Sequence, residues 1–133
     1  MELKHSEITD KIIKAFYEVY NELGFGFLEA VYEKALFIVL NDFGLDVEQQ
    51  KKINVYFRNQ IIGVYVADLI VNQKVIIEIK AVKRLAAEHE AQLLNYLRST
   101  EIEVGLLVNF GAQLKFKRFV FDNNRKEIGV NLR

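Results

Sequence analysis

Residues 61–80 read IIGVYVADLIVNQKVIIEIK. Two apolar runs, 61–71 and 75–80, are parted by Asn72-Gln73-Lys74, and each run is broken by an acid. Their richness in Ile, Val and Tyr predicts two strands joined by a hairpin turn. Side chains alternate along a strand, so Ile76, Glu78 and Lys80 share one face, while Val75, Ile77 and Ile79 share the other. Opposite charges inside so apolar a segment are costly to bury unless they pair or hold a metal.

Turn length decides whether Asp68 joins them. A three-residue loop pairs Val71 with Val75, and therefore Asp68 with Glu78 on one face. A two-residue loop sets Asp68 opposite Ile77, pointing away. In the first register both carboxylates and Lys80 form one patch. Two carboxylates that close repel, and a hard divalent cation with oxygen preference relieves this, Mg²⁺ first and Mn²⁺ as its substitute. Held by Asp68, Glu78 and the Ile79 carbonyl, such an ion would polarise a phosphate oxygen and lower the pKa of bound water. Lys80 would position that water or offset charge on the transition state. These parts suffice for phosphodiester hydrolysis. A plainer reading keeps Glu78 and Lys80 as a surface pair on an edge strand and Asp68 in a loop, since an isolated D…ExK spacing recurs by chance.

Outward from this hairpin the periodicities are clear. Residues 53–58 (INVYFR) predict a preceding strand, and 104–109 (VGLLVN) and 114–121 (LKFKRFVF) two later ones. Between them, 87–98 returns to helical spacing through Ala87, Ala91, Leu94 and Leu97. At the start, Ile8, Ile12, Phe16, Val19 and Leu23 predict an amphipathic helix, capped by Ser6 or Thr9 and ended by Gly24 and Gly26. A second helix is expected over 27–43, with Leu28, Val31, Ala35, Val39 and Phe43 inward and Gly44 closing it. The order α-α-β-β-β-α-β-β predicts an α/β fold, a mixed sheet flanked by helices.

Composition sets the outer bounds. The chain has 133 residues, 51% of them hydrophobic, with ten phenylalanines and six tyrosines, which suits one domain over 1–133. Balanced charge, 18 basic against 18 acidic, supplies no global field toward nucleic acid or membrane. The absence of cysteine excludes disulfides, zinc fingers and thiol chemistry. With no leader-like apolar segment and no run of roughly 18 apolar residues, the chain reads as soluble and cytoplasmic.

Several spaced motifs carry a family resemblance. Gly26-Phe27-Leu28-Glu29-Ala30-Val31-Tyr32 resembles the signature of the GxxExxY proteins, a branch of the PD-(D/E)XK nuclease superfamily. The match continues through Glu33 and Leu36, Ala67-Asp68, Glu78-Ile79-Lys80-Ala81-Val82, Gln92-Leu93-Leu94-Asn95-Tyr96-Leu97 and Asn109-Phe110-Gly111. It implies a restriction-endonuclease-like core, α-β-β-β-α-β, with one extra N-terminal helix. It also implies cleavage of nucleic acid, mostly DNA, with one or two Mg²⁺ ions. Asp68 and Glu78 would then be metal ligands and Lys80 the catalytic lysine, with Glu29 an acid placed near the metal. Gln92 and Tyr96 resemble the QxxxY feature of RecB-like nucleases, which lies beside the site. Ala67 stands where the superfamily's name has proline, and His5 is the early histidine available as a further ligand.

Each supporting residue has a plainer role. Glu29 suits a helix dipole as a first-turn acid, Tyr32 suits packing with its hydroxyl satisfied nearby, and Glu33 suits solvent or the rim of the site. His89, Gln92 and Tyr96 form one polar stripe, which can be a solvated face; the resemblance puts Gln92 and Tyr96 against phosphate or Lys80. Lys83 and Arg84 are candidate grips on a phosphate backbone. Lys115 and Lys117 share a strand face, with Arg118 on the opposite one, so these cations cannot all form one patch. The resulting expectation is a Mg²⁺-dependent nuclease acting on nucleic acid, DNA ahead of RNA. A catalytically silent nucleic-acid-binding or adaptor domain is the alternative, and a homodimer is compatible with either.

Overall fold

The structure, a computed structural model, describes residues 3–126. The ends of the expected 1–133 domain lie outside these residues. α1 (Ser6–Leu23) buries Ile8, Ile12, Ala15, Phe16 and Val19, the stripe expected from helical spacing. Its cap differs from expectation: His5, in the left-handed region, holds that position, and Thr9 Oγ1 instead donates to the Ser6 carbonyl at 3.2 Å. Gly24 ends the helix at φ 69°, its N–H returning 2.8 Å to the Tyr20 carbonyl.

α2 (Glu29–Asp42) begins two residues later than expected, because Leu28 is still extended. Its inward stripe is also rotated. Tyr32, Leu36 and Leu40 are fully buried, whereas Leu28 is 80% exposed and Val31 lies at the surface. Apolar residues occur all round this helix, so periodicity alone leaves its rotation open. Packing fixes it: the Tyr32 ring stacks on Phe110 at 4.3 Å and 3°, and its hydroxyl donates 2.7 Å to the Gly24 carbonyl.

β1 (Val47–Phe57), β2 (Gln60–Val71), β3 (Val75–Lys80), β4 (Val104–Phe110) and β5 (Leu114–Val120) form one sheet in chain order. β3 and β4 run parallel and the other neighbours antiparallel. α3 (Ala87–Ser99) is the crossover between β3 and β4. α1 and α2 cover one face, meeting Leu69, Val71, Val75, Ile77 and Ile79. α3 covers the other, meeting Tyr65, Ala67, Ile76 and Leu107. Both faces being covered, all seven residues of β4 are buried. α3 faces inward through Leu93 and Leu97, while Ala91 is exposed and Leu94 half-buried. Its apolar stripe is therefore turned from the expected one by the packing of Leu93 over Gly105, where a Cβ would meet it at 3.0 Å.

This architecture is the expected mixed sheet flanked by helices, and the turn between β2 and β3 has the three-residue register. Val71 pairs with Val75, Ile70 with Ile76 and Leu69 with Ile77. Asn72 and Gln73 both take positive φ, and the Asn72 side chain accepts the Asp46 N–H at 2.8 Å while Asp46 O accepts the Asn72 N–H at 2.7 Å. Those two bonds pin the turn. Among the described residues no helix is long and apolar enough to cross a membrane.

Candidate active site

The β2–β3 ladder stops after the Leu69–Ile77 pair. At the next step, where backbone would meet backbone, side chains take over. Glu78 Oε2 accepts the Asp68 N–H at 3.0 Å, and Asp68 Oδ2 accepts the Ile79 N–H at 2.8 Å. Each acid thus satisfies an amide on the other's strand, and the strands part into a fork with both carboxylates at its base. The three-residue register predicts Asp68 beside Glu78, and the fork brings them together.

Both strands of the first hairpin also turn over here. Residues two apart on a regular strand share a face, yet Tyr65 and Ala67 pack on the α3 side and Leu69 and Val71 on the α1–α2 side. On β1 likewise, Val47 packs on the α1–α2 side and Ile53 and Val55 on the other. Between them Gln50 is left-handed, φ 49°, and has no ladder partner. Its amide donates to Glu33 Oε1 at 2.7 Å and, more weakly, to Asp68 Oδ1 at 3.4 Å. Gln49 reaches the same Glu33 carboxylate at 3.2 Å.

Around the pair stand the other candidates. Glu29, first residue of α2, accepts the Ala81 N–H at 3.2 Å, so it lies at the site end of β3. Glu78 and Lys80 are half-buried on the Ile76 face of β3. Lys80 closes no ion pair with a described residue, but its charge acts on both Asp68 and Glu78. On the α3 side, Gln92 donates 2.6 Å to the Tyr96 hydroxyl, and the Tyr96 ring stacks on Tyr65. The buried Tyr65 hydroxyl closes no hydrogen bond of regular geometry among the described residues, but it lies against the Glu78 carboxyl and acts on it. Lys83 and Arg84 do not reach the fork. They line an adjoining groove of about 710 Å³ together with Lys115 and Lys117.

The two histidines have other surroundings. His5 lies by Lys74, which precedes β3, at the opposite end of that strand from Lys80. His89 Nδ1 accepts the Ala86 N–H at 3.1 Å and so closes the start of α3. Arg118 is bound to the Lys4 carbonyl, apart from the groove.

The electrostatics follow from burial. Burial, then the charge of Asp68, pushes the Glu78 carboxyl up to about 7. Burial raises Asp68 too, against the Ile79 N–H that lowers it. Burial likewise raises Glu33, and Asp68 adds to it. Such a group of acids, with Lys80 as the cation among them, fits a hard divalent ion better than it fits isolation. Among the described residues no three His, Cys, Asp or Glu side chains gather into a cage, so an ion here would draw on the carboxylate pair, backbone carbonyl and water, a donor set that suits Mg²⁺.

Sequence reasoning missed three contributors. Gln50 gave no signal, since nothing in a polar strand marks a left-handed glutamine. Tyr65 looked like an ordinary strand aromatic. Asn109 was legible in principle as the one polar residue of a buried run. It lies beside Lys80 in the parallel ladder and grips Val82 twice, accepting its N–H and donating to its carbonyl, both at 2.9 Å.

Among solved structures, one resemblance is to the crystal structure of SSO0001, at a TM-score of 0.51 and 23% identity, over 71% of this chain and 50% of that one. The likeness is one of fold, and the chain spans half the length of that protein. Among curated proteins no match is found. A family model of the PD-(D/E)XK nuclease superfamily matches residues 6–119, a span that includes the fork, its charged residues and all of the sheet but the last residue of β5, and the chain belongs to that superfamily.

Proposed function

We propose that the chain is a metal-dependent phosphodiesterase that cleaves nucleic acid, DNA first, with its one domain built around the fork, and that it falls in the GxxExxY branch. The observation that carries this is the reciprocal pair Asp68–Glu78, two half-buried carboxylates meeting where the ladder opens. Asp68, Glu78 and the Ile79 carbonyl would hold Mg²⁺, with Glu29 close by to reach it through water and Mn²⁺ able to substitute. When bound, the ion supplies Lewis-acid activation of a phosphate oxygen and of water.

The chain's own residues do the rest. Lys80 offers an ammonium, unpaired among the described residues, to the charge that builds on the phosphoryl oxygens. Gln92 and Tyr96, tied to each other on the α3 flank, contact the phosphate or Lys80. Lys83 and Arg84 grip the backbone beyond the scissile bond.

The test is cleavage of labelled oligonucleotides in Mg²⁺ or Mn²⁺. Asp68→Asn, Glu78→Gln and Lys80→Ala are each expected to lower the rate at least about 100-fold while folding persists. Cleavage at the wild-type rate by Asp68→Asn and Glu78→Gln would refute the assignment.

A further inference from the structure

We propose that the site takes an unpaired DNA strand, its phosphates lying along the basic groove beside the fork and one of its bases stacking on Phe25 and Phe27. The inference rests on the nuclease reading above and adds to it the form of the substrate.

Two surfaces of different chemistry flank Ala81 and Val82, the segment that follows Lys80. The first is the groove of about 710 Å³ lined by Lys83, Arg84, Lys115 and Lys117. Its acid, Glu90, is taken by Lys117 at 2.8 Å. Lys83, Arg84 and Lys115 have no ion pair among the described residues, so the groove presents uncompensated positive charge. Its wall includes Gly111 and Asn109, and Asn109 holds Val82, two residues beyond Lys80. A Cβ on Gly111 would stand 2.9 Å from the Val82 carbonyl. The groove is therefore continuous with the strand end that carries Lys80.

The second surface is aromatic. Phe25 and Phe27 are 63% and 45% exposed, in the segment that leads into Glu29. Phe27 sets its edge against Tyr32 at 6.0 Å and 81°, and Tyr32 in turn stacks on Phe110, between Asn109 and Gly111. Glu29 touches Ala81, and Asn109 touches Val82. Aromatic lip and basic groove thus flank the same few residues after β3.

A duplex presents phosphates and groove edges to such a mouth but keeps its base faces stacked inside. An unpaired strand presents both phosphates and open base faces. Cations that follow a backbone, with aromatics beside them to stack on, are the combination that binds single strands with little sequence preference. A purely duplex-binding mouth would leave two exposed phenylalanines without a partner.

The experiment is fluorescence anisotropy of the wild-type chain in EDTA, with an oligothymidylate of roughly 15 nucleotides and a duplex of equal length. Without metal, binding is read apart from chemistry. The single strand is expected to bind about tenfold tighter than the duplex. Phe25→Ala should lose about tenfold of single-strand affinity and leave duplex binding unchanged. Lys115→Ala should weaken both and reduce the salt slope by about one. Phe27 packs on Tyr32, so Phe25→Ala, whose ring stacks on no other aromatic among the described residues, keeps the test independent of loop packing. Equal or tighter binding of duplex, no binding of either, or an unchanged Phe25→Ala variant would each overturn the proposal. Cleavage in Mn²⁺ separates the two readings. Single-strand binding without cleavage sinks the chemistry and keeps the strand, whereas duplex cleavage without single-strand preference does the reverse.

Discussion

At Glu78, burial and the neighbouring Asp68 charge both favour the protonated carboxyl, and stability depends on pH as a result. The unfolded chain releases this proton near the ordinary 4.5, the folded chain at about 7. Between those values the folded state binds the extra proton, so stability falls as pH rises. Glu78's contribution is fully present below about 4.5 and lost above about 7, a change of roughly 3 kcal/mol. Denaturant titration of metal-free protein should therefore show lower stability at pH 8 than at pH 5. Glu78→Gln, neutral throughout, should flatten that difference and raise stability at pH 8. A wild-type chain equally stable at both values would show that Glu78 is not held in this way. The carboxylate pair itself was legible as acids in apolar runs, because charge inside a strand is improbable by packing alone. Gln50 was not legible: its role comes from a backbone angle, and single residues of that type carry no mark of it.

Among the elements, four strands were read closely, the first was expected at 53–58 and begins six residues earlier, at Val47, and the helix rotations were not read. Alternation and turn chemistry specify strands locally, and a one-residue slip at Asn72–Lys74 would have moved every side chain of β3 to the other face. α2 is apolar on several sides, so its facing was decided by the Tyr32–Phe110 stack, a contact between residues 78 positions apart that no local pattern contains. The turnover of β1 and β2 at Gln50 and Asp68 was hidden for the same reason. Asn109 ties β4 to the segment after β3, and its loss should be felt at this scale. Asn109→Ala leaves the Val82 N–H and carbonyl unpaired, and we expect about 2 kcal/mol of destabilisation, with cleavage reduced more than melting explains because the Lys80 end of β3 loosens. Gly111→Ala should disturb the same segment by contact with the Val82 carbonyl. Thermal melts paired with cleavage rates check both. An Asn109→Ala variant as stable and as active as wild type would separate that clamp from the site.

For the molecule as a whole, the centre of the sheet is covered on both faces, while most of β1 and the start of β2 stay exposed. Two helices seal one face of that centre and a third seals the other, and the ladder opens where β2 and β3 part. Several spaced motifs in order, from Gly26–Tyr32 through Asp68 and Glu78–Lys80 to Asn109–Gly111, pointed to the superfamily from sequence. The groove was not, because Lys83 and Arg84 lie about thirty residues from Lys115 and Lys117 and only the β3–β4–β5 pairing brings them together. Net charge near zero hid it as well, since local surplus at the groove is balanced by acids at the fork and elsewhere. The central claim is that the two acids at the fork share one divalent ion. Mn²⁺ titration followed by electron paramagnetic resonance measures this without substrate. The account predicts a site of millimolar or tighter affinity in the wild-type chain, lost in both Asp68→Asn and Glu78→Gln. Wild-type binding no tighter than in those two variants would contradict it.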